Sequence, residues 1–182
     1  MGGLVARTMR LEKPETWHRM MARDGGRLLM LGTPNGGSWA PMQTLSGDDN
    51  FGNALVAFGS LFDNGGTRKM MAGMPGFIQL QASLLDPNLG LDKATTWQKL
   101  AEDDMAALRD RSLWHDEGSQ RTIYEWGAPP QDVLDQAVKL RRRLDAQAES
   151  LGADAHKMLL VVGHAAFTPA GFTQTSDGLE YL

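Results

Sequence analysis

Cysteine is absent from this 182-residue chain, which excludes disulfides, thiolate metal sites and cysteine nucleophiles. Long apolar runs are absent as well, since stretches such as 158–162 fall far short of the roughly 20 residues that span a bilayer. Neither charge sign is in large excess, and a net charge of −4 gives no attraction for nucleic acid or anionic lipid. The sequence therefore predicts no membrane span and no nucleic-acid partner.

Motifs for metals, cofactors and secretion are also missing. The histidines, which are His18, His115, His156 and His164, have no metal-ligand spacing, and no H-E-x-x-H occurs. The glycine patterns that cradle phosphates or dinucleotides do not occur either. Residues 2–6 are too few for the apolar core of a signal peptide, which together with the lack of cysteine favours the cytoplasm over secretion. We expect no metal and no cofactor.

Two apolar segments bounded by turn residues predict strands that are buried on both faces, as in a parallel sheet. They are the segment around Leu28–Leu31 and the segment 157–163. A helix over residues 4–23, broken at Pro14, precedes the first strand. A long helix opened by two prolines at 129–130 and ended by Gly152 precedes the second strand. A further short strand is expected near the end, over residues 179–182.

Residues 39–127 have a different texture, rich in glycine, methionine, aspartate and tryptophan and without an obvious buried strand. Helices are predicted at about 51–62, 67–73, 76–84 and 94–111, with a turn near 120–125. Strands and helices in this order predict an α/β layer architecture with a helical insertion over one end of the sheet. Two strong strands are too few for a complete sheet in a chain of this length.

Two segments, one helix apart, carry recognisable motifs. The chain opens with Met-Gly-Gly-Leu-Val-Ala-Arg at 1–7, and residues 28–38 are Leu-Leu-Met-Leu-Gly-Thr-Pro-Asn-Gly-Gly-Ser. Together they resemble the α/β-hydrolase superfamily in its lipase and esterase branch. The first segment resembles the end of the nucleophile elbow G-x-S-x-G and the helix after it, and the second resembles the next strand and loop of lipases. A weaker match at 159–169 resembles the strand before the catalytic acid in bacterial lipases and lecithin–cholesterol-acyltransferase-like proteins. Alone, the opening also fits an initiator methionine before an ordinary helix.

This resemblance implies a partial α/β-hydrolase: a parallel sheet with flanking helices and a helical cap. Its parts would be a core helix and strand over 1–38, a cap over 39–127, and a core helix and strand over 128–182. The family's catalytic order is Ser, then Asp or Glu, then His. The serine would directly precede Met1, and the acid and histidine would follow Leu182. A start assigned inside a longer gene, or a trimmed piece of one, would explain these boundaries equally well.

The chain is therefore expected to carry no catalytic residue and to be inactive alone. By family position, Met1 would supply an oxyanion-hole N–H, although a free chain terminus is not expected to serve. The family positions that would line the site are Gly2, Thr33, Pro34 and Asn35. His164 ends the second strand, at a position that is usually small in the family, and is a further candidate for lining the site, although a hydrogen-bonded structural role is the better interpretation.

Other polar residues fit structural roles better. Ser38 loosely echoes the elbow in Gly-Gly-Ser-Trp-Ala, but a loop serine bonded to its own backbone is the better interpretation. Arg141, Arg142 and Arg143 avoid the apolar stripe of the long helix and are expected on a solvated face.

The resemblance implies a serine hydrolase acting on carboxylic esters of lipids or other acyl compounds. The alternative is a non-catalytic scaffold or interaction domain with a hydrolase-like fold. The cap's large apolar residues, among them Phe77 and Trp97, would face an acyl chain or pack a small core of their own. Surface left bare by missing strands would favour self-association.

Overall fold

The structure is a computed structural model that describes residues 2–48, 64–111, 125–176 and 178–182. The helices in these ranges are α1 (Gly2–Glu12), α2 (Pro14–Met21), α3 (Ala40–Ser46), α4 (Asn64–Ala72), α5 (Pro75–Ile78), α6 (Ala94–Arg111) and α7 (Gln131–Glu149). The strands are β1 (Leu28–Leu31), β2 (Met158–Val161), β3 (Phe172–Thr175) and β4 (Gly178–Tyr181). The protein is a mixed α/β fold.

The two predicted apolar strands pair with each other. β1 and β2 are parallel and in register from Leu28 opposite Met158 to Leu31 opposite Val161. Their pairing confirms the predicted parallel arrangement. In the described ranges neither strand has a second neighbour, so each keeps one open edge.

The expected burial of both sheet faces is wrong. Because side chains alternate along a strand, one face carries Leu29 and Leu31 of β1 together with Leu159 and Val161 of β2. All four are exposed, by 53%, 66%, 62% and 47%. We call this surface the bare face. Parallel sheets normally have other elements packed on both faces. These residues have the apolar composition of buried strands, but no described element packs on the bare face.

The opposite face is covered on β1. Met30 is only 4% exposed, and α1 packs against this strand. The predicted break at Pro14 is confirmed, because α1 ends at Glu12 and Pro14 begins α2. Proline is tolerated there because the first helical N–H groups have no helical acceptor.

The described part of the segment 39–127, which was predicted to be an insertion, contains the four helices α3 to α6, with turns between α5 and α6. The helix predicted at 94–111 is α6, and the one predicted at 67–73 corresponds to α4. The helix predicted at 76–84 is too long, since α5 ends at Ile78. α3 was not predicted; it starts at Ala40 and places Pro41 in its first turn. The helix predicted at 51–62 lies outside the described residues, as does nearly all of the turn predicted near 120–125.

The main hydrophobic core lies among α3, α4, α5, α6 and α7 and the turns between α5 and α6. Its most deeply buried members include Met42, Leu45, Ile78, Leu91, Trp97, Leu134 and Ala137. Phe77 packs against this core, as do side chains of a hairpin formed by antiparallel β3 and β4. The predicted short terminal strand is confirmed as β4. Met70 and Met74 are exposed, by 58% and 44%.

The long helix α7 follows the predicted stripe only in part. Val133, Ala137 and Leu144 are buried as expected, whereas Ala148 is exposed. The helix ends at Glu149, and Gly152 lies in a short 3-10 turn beyond it rather than at the stop. Nowhere in the part of the chain described is there a helix long and apolar enough to cross a membrane.

Candidate functional site

The start of α1 lies directly against the loop that leaves the carboxyl end of β1. A Cβ added to Gly3 would stand 2.3 Å from Thr33 Oγ1 and 2.9 Å from Thr33 Cβ. These distances are far below van der Waals contact, so only glycine fits at this point of α1. The two segments that were compared with lipase motifs, 1–7 and 28–38, are therefore in direct contact.

Arg7 joins the same two segments. It is 5% exposed, and its Nη1 donates to Asn35 Oδ1 at 3.2 Å. It also reaches α7, donating to Gln147 Oε1 at 3.2 Å and to the Leu144 carbonyl at 2.5 Å. Burial lowers the pKa of Arg7, nearby Arg141 lowers it further, and Asp145 opposes both. These bonds tie the loop after β1 to two helices.

Arg141 holds the loop from the other side, and its predicted place on a solvated face is wrong. It is 6% exposed, donates to the Asn35 carbonyl, and pairs with Asp145 at 2.9 Å. Its neighbours Arg142 and Arg143 are exposed as predicted. Two buried guanidinium groups therefore contact one loop residue, one at its side chain and one at its backbone.

This arrangement predicts different effects for adjacent arginines on one helix. Arg141→Ala should lower the free energy of unfolding by about 2 kcal/mol, because the Asn35 carbonyl loses a charged donor. Arg142→Ala should change it by less than about 0.5 kcal/mol, as is usual for exposed sites. Urea unfolding of both variants measures the difference. Equal effects would mean that Arg141 does not hold the loop.

A cleft of about 520 Å³ opens at the carboxyl ends of β1 and β2. The loop after β1 forms one wall, and residues after β2 form another. The described residues that line it are small or hydroxyl-bearing in large part, and none of them is charged: Gly32, Thr33, Pro34, Gly36, Gly37, Ser38, Trp39, Ala40, Gln43, Ala82, Ser83, Val162, Gly163, Thr168, Pro169 and Ala170. Open α/β sheets bind ligands at this edge.

The third wall is brought in by a close backbone approach. Gly37 has φ +95°, and a Cβ there would stand 2.7 Å from the Cα of Ala82. Two backbone hydrogen bonds then join Ser38 to the segment 80–82. Ser38 N donates to the Leu80 carbonyl, and Ala82 N donates to the Ser38 carbonyl. Ser83 follows with φ +58°, an uncommon backbone conformation for a residue other than glycine. No local sequence pattern predicts this meeting.

Ser38 behaves as the predicted loop serine. Its Oγ accepts a hydrogen bond at 3.2 Å from the N–H of Ala40, two residues ahead. The oxygen is therefore engaged with its own backbone, as interpreted from the sequence.

The predicted site residues take different places. Thr33 and Pro34 line the cleft. Asn35 is not among the lining residues, and its side-chain oxygen accepts a hydrogen bond from Arg7. Gly2 is exposed, and nothing lies within 4 Å of a Cβ built on it.

His164 is exposed beyond the end of β2, where Gly163 lines the cleft in its place. Met1 lies outside the described residues.

The other histidines do not form part of a metal site among the described residues. His18 and His156 are exposed, and His115 lies outside the described residues. Among the residues that the structure places, no group of three or more His, Asp or Glu side chains is arranged to hold a metal ion.

A buried polar cluster, not predicted from the sequence, joins the β3–β4 hairpin to α3 and α6. The Asp104 carboxylate accepts from Trp126 Nε1 and from the Leu179 N–H, each at 2.9 Å. Tyr181 lies 3.3 Å from the Ser46 hydroxyl, and burial raises the pKa of its phenol while that hydrogen bond opposes the shift. These hydrogen bonds hold the hairpin against α3 and α6.

Comparison of the chain with protein-family models, with curated proteins and with solved structures gave no match.

Proposed function

We propose that this chain is part of a serine-dependent ester hydrolase of the lipase and esterase kind, comprising the core that follows the nucleophile together with its cap. The observation that carries the proposal is the contact between Gly3 and Thr33. It brings the start of α1 to the carboxyl end of β1, where an elbow would have to stand. The sequence motifs and the contact are separate observations, since the motifs alone do not determine where the helix lies.

The direction of α1 supports the same conclusion. A helix that begins at the carboxyl edge of a parallel sheet and leads into β1 is the second half of a strand–helix–strand crossover. The first half would be a strand parallel to β1, ending just before Gly2 and bearing the nucleophile at its tip. The open edges of β1 and β2 and the bare face leave room for further strands and covering helices.

The neutral cleft fits the proposed reaction. An acylated serine at the tip of the missing strand would stand beside Thr33 and Pro34, between walls whose described residues carry no charge. A neutral ester and its alcohol fit such walls better than a charged substrate, which would need a partner for its charge. Catalysis itself would require a serine, an acid and a histidine supplied outside this chain, since none of its motifs provides them.

The DNA on either side of the coding segment gives the sharpest test. We expect in-frame codons for Gly-x-Ser immediately upstream, and codons for an Asp-Gly loop and a histidine downstream. The extended protein should hydrolyse p-nitrophenyl esters, its Ser→Ala variant should not, and the present chain alone should be inactive. Rapid ester hydrolysis by the present chain, or the absence of those codons, would overturn the proposal.

The second candidate is a non-catalytic scaffold, and the bare face favours it as a binding surface. Exposed apolar patches of this kind mark interaction sites or cause self-association. The same reading of flanking DNA separates the two candidates, because a scaffold needs no Gly-x-Ser codons.

A further inference from the structure

Asn35 and Gly36 form an Asn-Gly pair in the loop after β1, and the chain contains one other such pair, Asn64 and Gly65. In this dipeptide the backbone nitrogen of the glycine readily attacks the side-chain amide of the asparagine, because glycine has no Cβ to hinder the approach. The first pair occupies a turn closed by a backbone hydrogen bond of 2.9 Å between the flanking residues. The second pair begins α4 and has a helical backbone.

The attacking nitrogen is available in the turn. Among the described residues, no acceptor bonds to the Gly36 N–H, and Gly36 is exposed to water. Nothing lies within 4 Å of a Cβ built on Gly36. The nitrogen is therefore neither engaged by a hydrogen bond nor crowded by neighbouring atoms.

Arg141 acts on the amide that attacks. Its Nη2 donates to the Asn35 carbonyl, which belongs to the same peptide group as the Gly36 nitrogen. A cation at that oxygen stabilises the negative charge that the peptide group takes up when its N–H loses a proton. The deprotonated nitrogen is the nucleophile of the reaction, so Arg141 activates it.

Arg7 acts on the amide that is attacked. Its Nη1 donates to Asn35 Oδ1 at 3.2 Å, and this oxygen becomes negatively charged when the nitrogen adds to Cγ. A donor already placed at such an oxygen lowers the barrier to the addition. Arg7 and Arg141 are 5% and 6% exposed, so water screens their charges little.

The balance of charge around the loop favours the product. The side-chain donors of Arg7 have only neutral acceptors, and Asp145 is the one carboxylate bonded to Arg141 among the described residues. Nη1 of Arg141 has no hydrogen-bond partner in the part of the chain that the structure describes. Hydrolysis of the Asn35 amide would place a second carboxylate beside these two buried cations, where a charge-assisted hydrogen bond replaces a neutral one.

We propose that Asn35 is a site of spontaneous deamidation, promoted by Arg7 and Arg141. The Gly36 nitrogen bonds to Cγ of Asn35, the bond from Cγ to the side-chain nitrogen breaks, and ammonia leaves with the proton. Water then opens the succinimide at either of its carbonyls, which leaves an aspartyl or an isoaspartyl residue. The inference is independent of the proposed function. An isoaspartyl residue would lengthen the backbone between Pro34 and Gly36, which both line the cleft.

Peptide mapping by mass spectrometry, on protein aged in mildly alkaline buffer, tests the proposal. In the folded chain, Asn35 should deamidate severalfold faster than Asn64, and severalfold faster than Asn35 itself does in urea. Gly36→Ala hinders the attack at a place with room for the new Cβ, so it should slow the reaction at Asn35 severalfold and leave Asn64 unchanged.

A second pair of variants tests the role of the buried cations. Arg141→Ala should slow the reaction at Asn35 severalfold, and Arg142→Ala, its exposed neighbour, should not change it. Loosening of the loop cannot explain a slower reaction, because local opening frees the pair and speeds deamidation. Asn35→Asp imitates the aspartyl product and should raise the urea concentration at the midpoint of unfolding.

Three results would overturn the proposal. The first is a slower reaction at Asn35 in the folded chain than in urea, which would mean that the fold protects the pair. The second is an unchanged or faster reaction in Arg141→Ala, which would mean that the cation only holds the loop. The third is a lower unfolding midpoint in Asn35→Asp, which would mean that the two guanidinium groups do not favour a carboxylate at this position.

Discussion

Met30→Lys should destabilise the protein by about 4 kcal/mol or more, whereas Leu31→Lys at the next position should change its stability by less than about 0.5 kcal/mol. The two residues are neighbours on β1 and point to opposite faces of the sheet. Met30 is 4% exposed, and Leu31 is 66% exposed on the bare face. A lysine at 30 would bury an ammonium group with no partner, and one at 31 would stand in water.

Urea unfolding of both variants, followed by circular dichroism, measures the contrast. Leu31→Lys should also reduce self-association of the isolated chain in analytical ultracentrifugation, since it places a charge on the bare face. In the extended protein of the proposed function, helices would cover that face, and Leu31→Lys should then become strongly destabilising. Equal costs for the two lysines in the isolated chain would mean that the bare face is covered there, contrary to the structure.

The strands were predictable because unbroken apolar runs between turn residues have few other uses in a chain of mixed composition. Leu28–Leu31 and Met158–Val161 each form a strand as expected, in the expected parallel pair. Their burial was not predictable from the same runs. An apolar run indicates that a strand is suited to burial on both faces. Whether other elements actually pack on those faces depends on the rest of the fold.

Buried arginines were missed for a physical reason. A run of three arginines on a helix normally lies in water, because each buried charge needs compensating hydrogen bonds. Arg141 finds them in Asp145, four residues ahead, and in the carbonyl of a loop more than 100 residues away in sequence. The first partner is visible in the sequence, but the second follows only from tertiary packing.

The candidate cleft was predictable only along the chain segment that the motif covers. Thr33 and Pro34 were expected beside the site and do line the cleft. Ala82 and Ser83 also line the cleft but were not expected there. They reach it because the backbone of Gly37 packs closely against Ala82, and a glycine in the sequence does not by itself predict such a contact. Asn35 was also expected to line the site; it is not among the residues that line the cleft, and Arg7 donates to its side chain while Arg141 donates to its carbonyl.

Gly3→Val should lower the free energy of unfolding by about 3 kcal/mol, because the added side chain would overlap Thr33 and force α1 away from the loop after β1. Gly2→Val is the matched control. It introduces the same residue into the same first helical turn, where nothing lies within 4 Å of the new Cβ. The helix propensity of valine therefore cancels in the comparison, and the overlap with Thr33 remains.

Chemical denaturation of the two variants gives the difference, and a second substitution identifies its cause. Thr33→Ala, which removes Oγ1 and Cγ2, should recover part of the loss in the Gly3→Val background and little in the Gly2→Val background. If both valine variants unfold at the same urea concentration, the start of α1 does not press on the loop. The elbow geometry would then lose its main support, and the hydrogen bond from Arg7 to Asn35 would remain as a contact between the two motif segments.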